Sequence, residues 1–134
     1  MDTMNDAAEN SAAEHYIRAR EYLASRASNS LILAISEFTK VVEADPDYKD
    51  AYERLKYALE EEQGMREDIS DFEATLATDP NDVATRYRMA AFLRILGRDD
   101  DAIHHWRVVA KLEFPDWSKS ARKMLRKHYQ IIES

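Results

Sequence analysis

The chain contains no cysteine. That excludes a disulfide framework and thiolate chemistry, and it fits a reducing cytosol. Only two glycines and three prolines stand among 134 residues. So few turn formers argue against a sheet-rich fold and suit long helices joined by short turns. No apolar run approaches the roughly 20 residues of a membrane span. The opening MDTMNDAAENSAAE is acidic and polar, unlike a signal peptide. A soluble, cytoplasmic protein with no membrane insertion is the expectation. HExxH, a glycine-rich phosphate loop and paired cysteines are all missing. No enzymatic activity, cofactor or metal is therefore expected.

Basic residues are scarce in the first part of the chain. Residues 1–82 hold 20 Asp/Glu and 8 Lys/Arg, a net of −12, whereas residues 83–134 hold 6 and 11, a net of +5. The overall charge of −7 argues against nucleic acid as the main ligand, since that wants a broadly basic face. The asymmetry makes the chain electrically polar from one end to the other.

What is present is periodicity. In VATRYRMAAFLRILGRDDDAIHHWRVVAKLEFP (residues 83–115), Met89, Ala90, Leu93 and Leu96 share one helical face. Ala102, Ile103, Trp106, Val109 and Ala110 share another. Gly97 suits a left-handed C-terminus, and Asp99 to Asp101 favour the following start by capping and by facing the positive helix end. The segment reads as a helical hairpin.

The hairpin recurs upstream. Ala34-Ile35, Asp68-Ile69 and Ala102-Ile103 are 34 residues apart each time, as are Phe38, Phe72 and Trp106. Leu55 and Leu59 precede Met89 and Leu93 by the same interval, and Pro46, Pro80 and Pro115 stand 34 and then 35 apart. Two helices per 34-residue period resemble the tetratricopeptide repeat (TPR) family. The resemblance covers roughly Tyr16 to Pro115 and rests best on Met89, Ala90, Leu93, Gly97, Ala102, Trp106, Val109 and Pro115. It implies an all-α right-handed superhelix of three repeats, about 12–46, 49–80 and 83–115, with a capping helix at 117–132. That makes seven helices in a single domain.

Taken in order, residues 1–10 show no periodicity and are expected to be disordered. Ser11-Ala-Ala-Glu14 is a capping-box pattern, placing the first helix start after Ser11. SRASNS at 25–30 breaks the chain before a helix at 31–44, and Asp45-Pro46-Asp47 ends that helix. A third helix over 48–62, with Tyr52, Leu55, Ala58 and Leu59 on its stripe, closes at EEEQG (60–64). A fourth, over 66–78, buries Ile69, Phe72 and Leu76. Asp79-Pro80-Asn81-Asp82 then repeats the stop. In the last helix Trp117, Ala121, Leu125 and His128 form the stripe, with Lys and Arg on the other faces, as a solvent-facing cap requires.

Lys56 and Asp68 stand where the third unit has Ala90 and Ala102. The resemblance implies that these two positions meet where paired helices cross. Either they form a partly buried ion pair, or Asp68 caps a helix while Lys56 snorkels outward. His104-His105 reads as a rim pair, because adjacent helical residues point about 100° apart. The run Glu60–Glu62 reads as a solvated helix end.

The resemblance also implies a concave groove lined by the first helix of each repeat. The corresponding residues are Ile17 and Glu21 in the first unit, and Asp50, Glu53 and Tyr57 in the second. The third contributes Tyr87, Arg88, Ala91 and Arg94, and the cap Arg122. Tyr57 and Tyr87 lie off their apolar stripes. They either grip a peptide or pack between neighbouring repeats. The carboxylate-clamp places of chaperone-binding members hold Ile17, Glu21, Arg54, Ala84 and Arg88, of which only Arg88 matches in kind, so no such clamp is expected. The expected function is non-enzymatic: binding a peptide or helix of a protein partner of unknown identity. The alternatives are a self-assembling scaffold that forms homo-oligomers, or an accessory chaperone of a secretion or assembly system.

Overall fold

A computed structural model of the chain describes residues 3–132, with side chains from residue 11 onward. Its described residues are mostly helical, joined by short connections, with no strand among them. The elements are α1 (Thr3–Ser25), α2 (Ser30–Ala44), α3 (Ala51–Thr78), α4 (Val83–Ile95), α5 (Asp99–Lys111) and α6 (Pro115–Tyr129). The contacts divide the chain into two compact units, Met1–Gln63 and Gly64–Ser134.

In the first unit α1 and α2 form a hairpin. Ala12, Tyr16 and Ala19 of α1 meet Ala34, Phe38 and Val41 of α2 in a buried core that Ala51 completes. Ala19 and Ala34, both wholly buried, let the two backbones approach closely. The Tyr16 ring packs edge-on against Phe38 (6.1 Å) and Tyr48 (5.5 Å). The break at 25–30 turns the chain through two left-handed residues, Arg26 (φ 49°) and Asn29 (φ 63°). Asp45, before Pro46, is extended (φ −152°) and ends α2 as expected.

In the second unit α4, α5 and α6 pack in sequence around Trp106, Met89, Leu93, Val109 and Leu125, each almost wholly buried. Phe72 of α3 lies against Phe92 of α4 at 5.7 Å. The α4–α5 turn is closed by Gly97 (φ 78°), with Gly97 N–H donating to Arg94 O (3.0 Å) and Arg98 N–H to Leu93 O (2.8 Å). That pair of bonds is the Schellman arrangement, and it satisfies carbonyls the helix end would otherwise leave open. Asp99–Asp101 occupy the first turn of α5 and favour it through the dipole, but none caps it. Asp101 instead pairs with Arg98 (2.8 Å), and Asp99 accepts from the Tyr129 hydroxyl (2.8 Å).

Three expectations are corrected. The helix assigned to begin after Ser11 is already running at Thr3, so Ser11 is an interior position and not an N-cap. Among the described residues six helices are found in place of seven, because the third and fourth are one continuous helix of 28 residues. The reason is visible in EEEQGMRE: no residue there blocks a helix. Gly64 in a helix interior costs only about 1 kcal/mol relative to Ala, and Glu62 stands four residues before Arg66, the favourable order of charges. Within such a helix, positions twelve apart are about 18 Å apart along the axis. The expected Lys56–Asp68 ion pair does not form in the chain, and both side chains are exposed.

Candidate functional site

The first unit carries an open cleft of about 370 Å³ on the outer side of α1, lined by Tyr16, Ile17, Arg20, Glu21, Ala24 and Lys49. The first five recur at helical spacing and so share one side of α1. Lys49 comes from the α2–α3 turn, where the Asp45 carboxylate accepts from Asp47 N–H (3.0 Å) and Lys49 itself is left-handed (φ 46°). This geometry holds the Lys49 ammonium over the rings of Tyr16 (5.2 Å) and Tyr48 (5.5 Å). The Arg20 guanidinium lies 5.8 Å from the Tyr16 ring. All three distances suit cation–π attraction.

A hydrogen-bonded chain leaves the same Tyr16 ring. The Tyr16 hydroxyl donates to Asp50 Oδ1 (2.5 Å), and Arg54 Nε donates to Asp50 Oδ2 (2.8 Å). The Tyr16 hydrogen bond, with Arg54 behind it, holds the Asp50 carboxyl below its ordinary range. Burial, then the Asp50 contact, pushes the Tyr16 phenol up. Further along, Arg26 pairs with Glu61 at 3.0 Å. The partners are 34 residues apart in the first contact and 35 in the second. Both indices rise together, so the two contacts tie α1 and the turn after it to the start and end of the 50–61 segment in the same chain order.

The candidate residues therefore separate. Ile17, 56% exposed, and Glu21 lie in the cleft, and the exposed Asp50 beside it accepts from the Tyr16 hydroxyl. Glu53 is exposed on α3, and Tyr57 is 69% exposed. In the second unit Tyr87 packs edge-on to Trp106 (4.5 Å) and against Trp117 (5.1 Å), with its hydroxyl bonded to Ser120. It is a half-buried packing residue between α4, α5 and α6. Arg94 is only 6% exposed, and its charge helps lower the pKa of His128, after burial of that ring. Arg122 Nη1 donates to Ala110 O (3.2 Å), neutralising the C-terminal end of α5. Arg88 is exposed and Ala91 half-buried.

Arg20 and Lys49 escaped the sequence reading, which took only positions carried over from the repeat pattern. DPDYKD (45–50) held the available signal, a cation one residue from an aromatic immediately after a helix stop.

A second exposed surface lies on α3 itself. Tyr52, Leu55, Lys56, Leu59, Glu60 and Gln63 line about 330 Å³ of open space. Tyr52 and Leu59 were expected to point inward, yet they are 59% and 45% exposed; Ala58 is buried and Leu55 half-buried.

The histidines make structural contacts. His15 Nδ1 meets the Glu37 carboxylate. His105 Nδ1 accepts from Arg86 Nη1 (3.0 Å), and burial, with Arg86 beside it, lowers its pKa to about 4. No group of three or more His, Cys, Asp or Glu able to hold a metal occurs among the described residues. No helix there is long and apolar enough to cross a membrane. No protein-family model, curated protein or solved structure matches the chain.

Proposed function

We propose that the chain is a non-enzymatic protein-interaction module of the TPR kind, working in the cytoplasm, which takes an extended peptide segment of a partner along the α1 cleft. The observation that carries this reading is a contact at the repeat spacing of 34, Tyr16–Asp50, followed by one at 35, Arg26–Glu61. First helices of successive repeats lie alongside one another in a TPR array, and their free sides form its binding surface. Here that side offers Ile17 for apolar area, Arg20 and Lys49 as cations over aromatic rings, and Glu21 as an anion. Mixed chemistry of this kind suits a peptide with apolar and charged side chains.

Selection of a displayed peptide library on the full chain tests the proposal. Selected peptides should lose at least about tenfold in affinity, about 1.4 kcal/mol, when Ile17→Asp and Lys49→Glu are introduced together, with helicity by circular dichroism unchanged. Peptides that bind the double variant equally well would remove the cleft from consideration.

One observation favours a second reading, assembly of copies end to end. Residues 1–82 and 83–134 carry opposite net charges, −12 and +5, and unlike ends attract in a head-to-tail contact.

A further inference from the structure

We infer that the exposed face of α3 is a self-association surface, and that two copies of the chain pair through it as antiparallel α3 helices. The face is the stripe Tyr52, Lys56, Leu59, Glu60 and Gln63, with Leu55 at its edge, half-buried against the α1–α2 core. Its spacing of three and four residues makes it one continuous line on the helix. Asp50, which takes the Tyr16 hydroxyl of α1, and Glu61, which pairs with Arg26 of the α1–α2 turn, lie on the opposite side. The surface is thus separate from the α1 cleft, and the inference stands or falls independently of the peptide-binding proposal.

The occupant follows from the order of residues along the stripe. Lys56 and Glu60 are one helical turn apart on one edge, and Leu55 and Leu59 are one turn apart toward the other. A two-fold axis passing near residues 57 and 58 sets Leu55 against the partner copy's Leu59 and Lys56 against the partner copy's Glu60. The same axis produces each contact twice, as an isologous pair requires. Tyr52 then faces the partner copy's Gln63. The stripe is complementary to itself in charge and in apolar position, so a second copy fits it without any other protein being invoked. A single helix face buries less than the roughly 1,600 Å² of a standard stable interface. The pairing is accordingly concentration-dependent.

Sedimentation velocity on the full chain over a concentration series, with cross-linking of the otherwise cysteine-free protein, tests the inference. A monomer–dimer equilibrium with no larger species is expected. Leu59→Glu, at a half-exposed site that leaves the fold intact, should raise the dimer dissociation constant at least about tenfold. Lys56→Glu should raise it several-fold, and adding Glu60→Lys to that chain should bring it back. Mixing Tyr52→Cys with Gln63→Cys under oxidation should yield a disulfide-linked heterodimer. A chain that stays monomeric throughout the series overturns the inference. So does a dimer indifferent to Leu59→Glu, or one that gives no cross-link at this register.

Discussion

Individual side chains here carry structural loads that fix which of them are free to meet a ligand. Trp106 is wholly buried and holds Tyr87 edge-on, so Trp106→Ala should cost about 3–5 kcal/mol, read from chemical denaturation. His105 sets an acid limit. Its folded pKa of about 4 lies below the ordinary 6.5 because burial and Arg86 disfavour the charged ring. The unfolded chain therefore takes up the proton more readily than the folded one. Stability should fall as pH drops from about 6.5 to about 4 and stay level above that window. After allowance for solvent screening at a partly exposed ring, the loss is of order 1 kcal/mol. Thermal melts from pH 7 to pH 4 should show the decline, and His105→Gln should flatten it. Arg94 and Tyr87 illustrate the limit of reading residues one at a time. Repeat position marked Arg94 as ligand-facing and left Tyr87 between gripping a ligand and packing between repeats, whereas Arg94 is nearly buried and Tyr87 is wedged between two tryptophans. A helical wheel shows which side a residue leaves from, but not whether a neighbouring helix has come to lie over it.

At the scale of elements, the two glycines have opposite roles and opposite predicted responses. Gly97 sits at φ 78°, where a side chain is strained. Gly97→Ala should destabilise the protein by about 1 kcal/mol and loosen the α4–α5 turn. Gly64 lies inside α3, and nothing stands within 4 Å of where its Cβ would go. Gly64→Ala should therefore stabilise the protein by about 0.5–1 kcal/mol through better helix propensity. Denaturant titration of the two variants gives opposite signs if α3 is continuous. Destabilisation by Gly64→Ala would instead mean that the chain turns at that point. Helix ends were legible where a strong stop exists, at Asp45-Pro46 and at Gly97-Arg98 with three aspartates behind it. The middle unit carried the same apolar period but only a weak stop, and the helix runs through it.

For the whole molecule, the charge division between residues 1–82 and 83–134 is the property that no single element expresses. If copies stack end to end, light scattering at low ionic strength should reveal open-ended growth that disappears as salt approaches about 0.15 M, where screening sets in within about 8 Å. Association that stops at two copies and persists in salt points instead to the apolar stripe of α3. One measurement series thus separates the two modes.

The sequence alone determined the helical class, the buried identities of Phe38, Trp106, Met89, Leu93 and Val109, and the turn at Gly97. Each follows from interactions within a turn or two of helix, where period and backbone freedom are local properties. Only the tertiary structure decided that α3 is uninterrupted, that Tyr52 and Leu59 face outward, and that Arg20 and Lys49 share a cleft with Ile17. A marginal breaker such as Gln63-Gly64 bends or stays straight according to what packs on either side of it. That balance of small energies over distant residues is not written in any local pattern.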